Sequence, residues 1–208
     1  MTGRNVYYAG AALGVVLVAG AIGLVVSDDR DSHPSGRGTE VPVTEQLGIT
    51  IKLAESGDPA AEHQLAQMYA VGDGVLKNEK TAAAWLERAA RHDDAEAQYE
   101  FGIALREGRG TVQDDERAFE WLQRAADAGN ARAQYELGRM YFLGAGTPVD
   151  KVRAYTWLNV AAAQGAGGDA ASLRDMVRGQ LSADEIIKGQ ADARRLNELQ
   201  SRQAARNP

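Results

Sequence analysis

The chain has 208 residues, with 23 Lys and Arg against 29 Asp and Glu, a formal charge of −6 and no cysteine. Phosphate binding requires a basic surplus gathered on one face, so this acidic balance excludes nucleic acid as a partner. The missing thiols exclude disulfides, iron–sulfur clusters, thiolate catalysis and cysteine-ligated zinc.

Residues 1–5 form a short tail carrying Arg4, and residues 6–26 (VYYAGAALGVVLVAGAIGLVV) carry no charge. At ~1.5 Å per residue this run matches the ~30 Å of a hydrocarbon core, which predicts a single transmembrane helix. Tyr7 and Tyr8 mark its headgroup end and Ser27-Asp28-Asp29-Arg30-Asp31 its other end. A cleavable signal peptide is the rival reading, with small residues near Ala19-Gly20-Ala21, although its apolar region is usually shorter. No cysteine follows for lipid attachment. One Arg before the span resembles a signal-anchor, which predicts that the rest of the chain lies on the non-cytoplasmic, periplasmic side. Gly10/Gly14 and Ala19/Gly23 are small pairs at i, i+4 through which two spans could pair as a homo-oligomer. Residues 27–41, polar and punctuated by Pro34, Gly36 and Gly38, read as a linker.

Beyond the linker the chain repeats itself. Trp85, Trp121 and Trp157 stand 36 apart, and Gly72/Gly108/Gly144, Gly74/Gly110/Gly146, Ala82/Ala118/Ala154, Leu86/Leu122/Leu158 and Ala90/Ala126/Ala162 share their register. A fixed period of this length denotes a solenoid whose units bury their faces only against neighbours. In the first full unit, residues 58–93, Asp58 caps a helix with Pro59 at its first position and Ala61, Leu65, Ala66 and Tyr69 on one face. Gly72-Asp73-Gly74 ends it, and Asn78 caps a second helix bearing Ala82, Trp85, Leu86, Ala89 and Ala90. Residues 94–129 and 130–165 repeat the scheme, and residues 42–57 read as a lone second helix. Gly57, Gly129 and Gly165 follow the second helices where φ > 0 is often needed. The middle junction has Asp93 instead, which predicts an irregular joint there.

These motifs, Ala-x-x-x-Leu-Gly-x-x-Tyr, Gly-x-Gly, Asp and Ala-x-x-Trp-Leu-x-x-Ala-Ala, resemble the Sel-one-like repeat, a relative of the tetratricopeptide repeat. Ala66 departs from the usual glycine, and Thr111 and Thr147 stand where the first unit has Val75. The resemblance implies an all-α chain, a tetratricopeptide-like superhelix of antiparallel helix pairs, acting as an adaptor for protein complexes, frequently in bacterial envelopes.

Residues 166–208 read as capping helices, with a Ser182/Glu185 capping box, a Leu181/Ile186 staple and a polar outer face at Asp192, Arg194, Arg195, Glu198 and Arg202. His33, His63 and His92 have no second histidine at i+3 or i+4, and no nucleophile elbow, phosphate loop or zinc spacing occurs. The residues therefore point to neither an enzyme nor a cofactor. An envelope hydrolase or ligand-binding protein with an unrecognised site remains the alternative class. One residue off the fixed positions, the first helices vary between units: Gln64/Glu100/Glu136, Gln67/Ile103/Arg139, Met68/Ala104/Met140 and Val71/Glu107/Leu143. Their i, i+3, i+4, i+7 spacing puts them on one face. Read as a groove, they would hold an unidentified protein or peptide with apolar and basic side chains. The competing reading is that Met68 and Met140 complete the packing between units.

Overall fold

The structure, a computed structural model, describes residues 15–18, 21–24, 45–166 and 169–205. In the apolar N-terminal segment, β1 (Val15–Val18) and β2 (Ala21–Leu24) pair antiparallel, with Val15 opposite Leu24 and Val18 opposite Ala21. Three valines and Ile22 favour strand over helix locally. The transmembrane helix expected over residues 6–26 is thus not shown, and its other residues lie outside the described ones. Among the described residues no helix is long and apolar enough to cross a membrane. The linker 27–41 is also outside them.

The helical array runs α1 (Glu45–Glu55), α2 (Pro59–Val71), α3 (Glu79–Arg91), α4 (Ala95–Glu107), α5 (Asp115–Asp127), α6 (Ala131–Leu143), α7 (Lys151–Ala163), α8 (Asp169–Arg178) and α9 (Ala183–Ala204). The helices from α2 to α7 form three antiparallel pairs, and α1 is the lone second helix before them. Each first helix starts on a carboxylate or amide cap. Asp58 Oδ1 accepts from the Ala61 N–H at 2.8 Å, Asp94 from Ala97 at 3.0 Å and Asn130 from Ala133 at 3.0 Å. Such caps each contribute about 1 kcal/mol. Each first helix ends on a left-handed glycine: Gly72, Gly108 or Gly144. The loops close alike, with the Asn78, Asp114 and Asp150 N–H groups donating to Tyr69, Leu105 and Tyr141 carbonyls at 2.8, 3.0 and 2.9 Å. Asp93 takes φ 61°, the one positive φ outside glycine among the described residues, so it adopts the left-handed form of Gly57, Gly129 and Gly165, and this joint carries strain rather than an irregular course.

The core runs through all units, with Trp85, Trp121 and Trp157 buried beside the repeated alanines and leucines. Gly102 and Gly138 allow the close helix crossing inside units two and three. A Cβ there would meet Leu122 Cγ at 2.8 Å and Leu158 Cγ at 2.7 Å. The next position in this register is Arg174 on α8, where a large charged side chain precludes such an approach. Accordingly α9 packs on α7 and not as a hairpin partner of α8. The surface of α7 is changed to receive it. Val152, Tyr155, Thr156 and Val160 replace Glu116, Phe119, Glu120 and Arg124 of α5. The Tyr155 hydroxyl accepts from Gln190 at 3.3 Å, and a Cβ on Gly189 would lie 2.7 Å from Tyr155 Cδ1. The Ser182 capping box that starts α9 is present. The Leu181/Ile186 staple pair is half-buried against the core.

Candidate protein-binding groove

Side-chain bridges tie the first helices into one row and the second helices into another. His63 Nε2 lies 3.2 Å from Glu100 Oε2 and Nδ1 3.7 Å from Asp94, joining α2 to α4. The hydrogen bond to Glu100 raises the His63 pKa, and the charges of Glu100 and Asp94 add to this against the lowering effect of burial. Glu136 on α6 is gripped by Arg106 of α4 and by Arg139, the latter at 2.9 Å. Arg132 pairs with Glu96 and stacks on Tyr99, 4.6 Å from the ring centre. On the other row, Arg117 of α5 bonds Glu87 of α3 at 3.3 Å.

A second repeated position was present in the sequence but invisible in periodicity of apolar residues: Glu62, Gln98 and Gln134 stand 36 apart. Each is buried where a first helix meets the preceding second helix. Gln98 donates its amide to the Ala90 carbonyl at 3.1 Å, and Gln134 to Ala126 at 3.4 Å. A carboxylate has no proton for that bond. In the first unit Arg88 substitutes for it, donating to the Ala54 carbonyl at 3.2 Å while lying 2.8 Å from Glu62 Oε1. The Arg88–Glu62 approach lacks hydrogen-bond alignment, so it is a charge contact. His92 stands 3.7 Å from the other Glu62 oxygen, and the Arg88 guanidinium stacks 4.4 Å from the Trp85 ring centre.

Against this frame the varying residues divide into two groups. A cleft of about 830 Å³ bounded by α1 to α4 collects Gln64, Gln67, Met68, Val71, Glu100 and Ile103. Gln64, Gln67 and Val71 are exposed, Met68 and Glu100 half-buried, and Ile103 forms the buried floor. Tyr99, Arg109, Arg132 and Gln46 complete its walls; the repeat register alone does not single them out. The other group does not join the cleft. Met140 is 2% exposed and Glu136 8%, both packed into the array beside half-buried Arg139. Glu107 bridges to Arg109 at 2.6 Å, and Leu143 is exposed at the end of α6. The carboxylates of the face are matched internally, so its open part is aliphatic and amide in character and offers little to attract a basic segment.

A more polar cleft of about 990 Å³ lies under the end of α9, between Arg124, Asp127, Gln164 and Gln200. Gln200 donates to the Ala126 carbonyl at 2.8 Å and accepts from Gln134 at 3.2 Å. Burial raises the Asp127 pKa, and its hydrogen bond from Gln123 partly offsets this.

Comparison with known proteins agrees with this architecture. A Sel1 repeat protein from Oxalobacter formigenes of known crystal structure is 38% identical, covering 64% of this chain and 98% of that one with a TM-score of 0.59. The crystal structure of c5321, a protective antigen of uropathogenic Escherichia coli strains displaying an SLR fold, superposes with a TM-score of 0.57 at 24% identity. That alignment covers 76% of this chain and 43% of the antigen, and shares the fold alone. Comparison with curated proteins gave no match. The Sel1 repeat pattern matches residues 59–94, 95–130 and 131–165, and the chain belongs to the Sel1 repeat family.

Proposed function

We propose that the protein is a membrane-anchored scaffold that holds a partner protein or peptide in the cleft of α1 to α4, with residues 6–26 crossing the bilayer and the repeats on the periplasmic side. The observation that carries this reading is the cleft itself: exposed Gln64, Gln67 and Val71 surround an apolar floor that stays open among the described residues. Amide groups at the rim give hydrogen-bond register to an extended segment, and Met68 and Ile103 offer buried apolar contact. Sel1 repeat arrays generally serve as protein-interaction scaffolds, which supports the class without naming the partner.

The β1–β2 ladder is compatible with a water-exposed segment and not with a bilayer. Two isolated strands leave outward N–H and C=O groups unpaired, at a cost of several kcal/mol each in hydrocarbon, whereas a helix satisfies its own. In a membrane, residues 6–26 therefore take the helical form. Small residues at Gly10/Gly14 give two such helices a route to pairing.

The test combines placement with capture. Protease added outside spheroplasts is expected to remove a C-terminal tag from a product of uncleaved size. Replacement of Gln64, Gln67 and Val71 by aspartate is expected to abolish recovery of the partner held by the unmodified chain, with helix content unchanged. Undiminished recovery would show that the partner is held elsewhere than in the cleft, and a protected tag would place the array in the cytoplasm.

A further inference from the structure

The two edges of the array differ in a way that the groove does not explain. One edge holds the turns between each second helix and the next first helix, residues 56–58, 92–94, 128–130 and 164–166; none of these turn residues is a large apolar one, and Leu53 in the last turn of α1 is the large exposed apolar side chain beside them. The other holds the Gly-x-Gly loops. Every large exposed apolar residue between positions 59 and 163 lies on it: Val71, Leu76, Val112, Leu143 and Val149. Leu76 and Val112 occupy the same place in successive units, and Val112 is 83% exposed.

This edge is a continuous ridge. A Cβ on Gly74 would lie 3.7 Å from Leu47 near the start of α1; one on Gly110 would lie 1.9 Å from the Glu79 carbonyl at the start of α3; and one on Gly146 would lie 2.0 Å from the Asp115 carbonyl at the start of α5. Each loop thus rests on the beginning of the preceding second helix. Because α1 is itself a second-type helix, it begins on the same ridge, and residues 27–44 are all that separate it from the apolar segment 6–26.

We propose that the Gly-x-Gly edge faces the lipid surface and seats Leu76, Val112 and Val149 in the headgroup region. The inference rests on the membrane-anchored reading above. The chain leaves the array at this edge, so the tether of residues 27–44 brings it to the bilayer more readily than the opposite edge, and aliphatic side chains gain free energy on leaving water there. Lys77 is paired with Glu79 at 3.1 Å and Arg109 with Glu107, while Asp115 and Glu116 adjoin Val112. With no basic surplus the contact is apolar and needs no anionic lipid.

The chain has no cysteine, so single cysteines label cleanly. Leu76→Cys, Val112→Cys and, on the opposite edge, the control Ala128→Cys are each made in the full chain, labelled with an environment-sensitive fluorophore and reconstituted in phosphatidylcholine vesicles. All three positions are exposed, so the fold is not at issue. A lipid-borne quencher of shallow depth is expected to dim positions 76 and 112 and leave 128 unchanged. If the chain floats with the vesicles but 112 and 128 respond alike, the edge is not at the membrane while the anchor stands. If 112 is shielded from aqueous and lipid-borne quenchers together, a protein covers it and the lipid assignment is overturned. A chain that fails to float with vesicles overturns the anchor and this inference with it.

Discussion

Gly110→Ala is expected to destabilise the repeat region by about 2–5 kcal/mol, one of the two largest losses from any single substitution proposed for this chain. Its φ of 69° is left-handed, which costs an L-residue roughly 1–2 kcal/mol. The new methyl also falls 1.9 Å from the Glu79 carbonyl and 2.8 Å from the Lys80 nitrogen, which are backbone atoms that cannot rotate aside. Forced displacement of packed structure costs about 1–3 kcal/mol more. Gly74→Ala provides the internal comparison. Its φ is 68°, yet among the described residues the nearest atom to its Cβ is the end of the Leu47 side chain at 3.7 Å. It should lose only the conformational part, roughly 1–2 kcal/mol. The difference is that Gly110 meets the backbone at the start of α3, whereas among the described residues Gly74 meets only the ends of the Leu47 and Met68 side chains. Urea denaturation of residues 42–208 would show a clearly lower midpoint for Gly110→Ala than for Gly74→Ala. A loss of only about 1–2 kcal/mol for Gly110→Ala would mean that the loop does not rest on its neighbour.

Arg88→Ala is expected to cost about 3 kcal/mol, near the low end for breaking a buried ion pair because Arg88 is itself 45% exposed. Glu62 is 0% exposed, and without Arg88 it keeps, among the described residues, only His92 at 3.7 Å. The substitution also removes the donor to the Ala54 carbonyl, so α1 should loosen first. Glu62→Gln in the same chain should recover most of the loss. It removes the unpaired charge and restores the amide with which Gln98 and Gln134 bond the preceding helix. Glu62→Gln alone should change stability by less than about 1 kcal/mol. A thermal-melt double-mutant cycle measures the coupling, and additive losses would show that the two side chains do not act together.

Much of this architecture is legible in the residues because a solenoid repeats its reasons. The tryptophan period, the capping Asp and Asn residues and the left-handed glycines all fall where local chemistry requires them, down to Asp93 at the middle joint. The site was less legible. Register places Met68 and Met140 on the same helix face, but openness depends on neighbours in other units. Beside Met68 a cleft stays open among the described residues, whereas Arg106, Glu136 and Arg139 knit together beside Met140. The turn-back of α9 had a signal in Arg174, which stands at the position of Gly102 and Gly138. Its meaning emerges only once the close approach at those glycines is known. At the N-terminus, length and apolarity indicate a membrane helix while the valines favour strand pairing, so environment decides between them.

A partner seated in the cleft of α1 to α4 would be captured there in the cell. A photo-reactive amino acid at Gln67, inside the cleft, and another at Glu120, exposed on α5, would be compared in living cells by blotting for the chain. A discrete heavier adduct is expected from position 67 and none from position 120. No adduct from either position, or the same adduct from both, would contradict binding in the cleft.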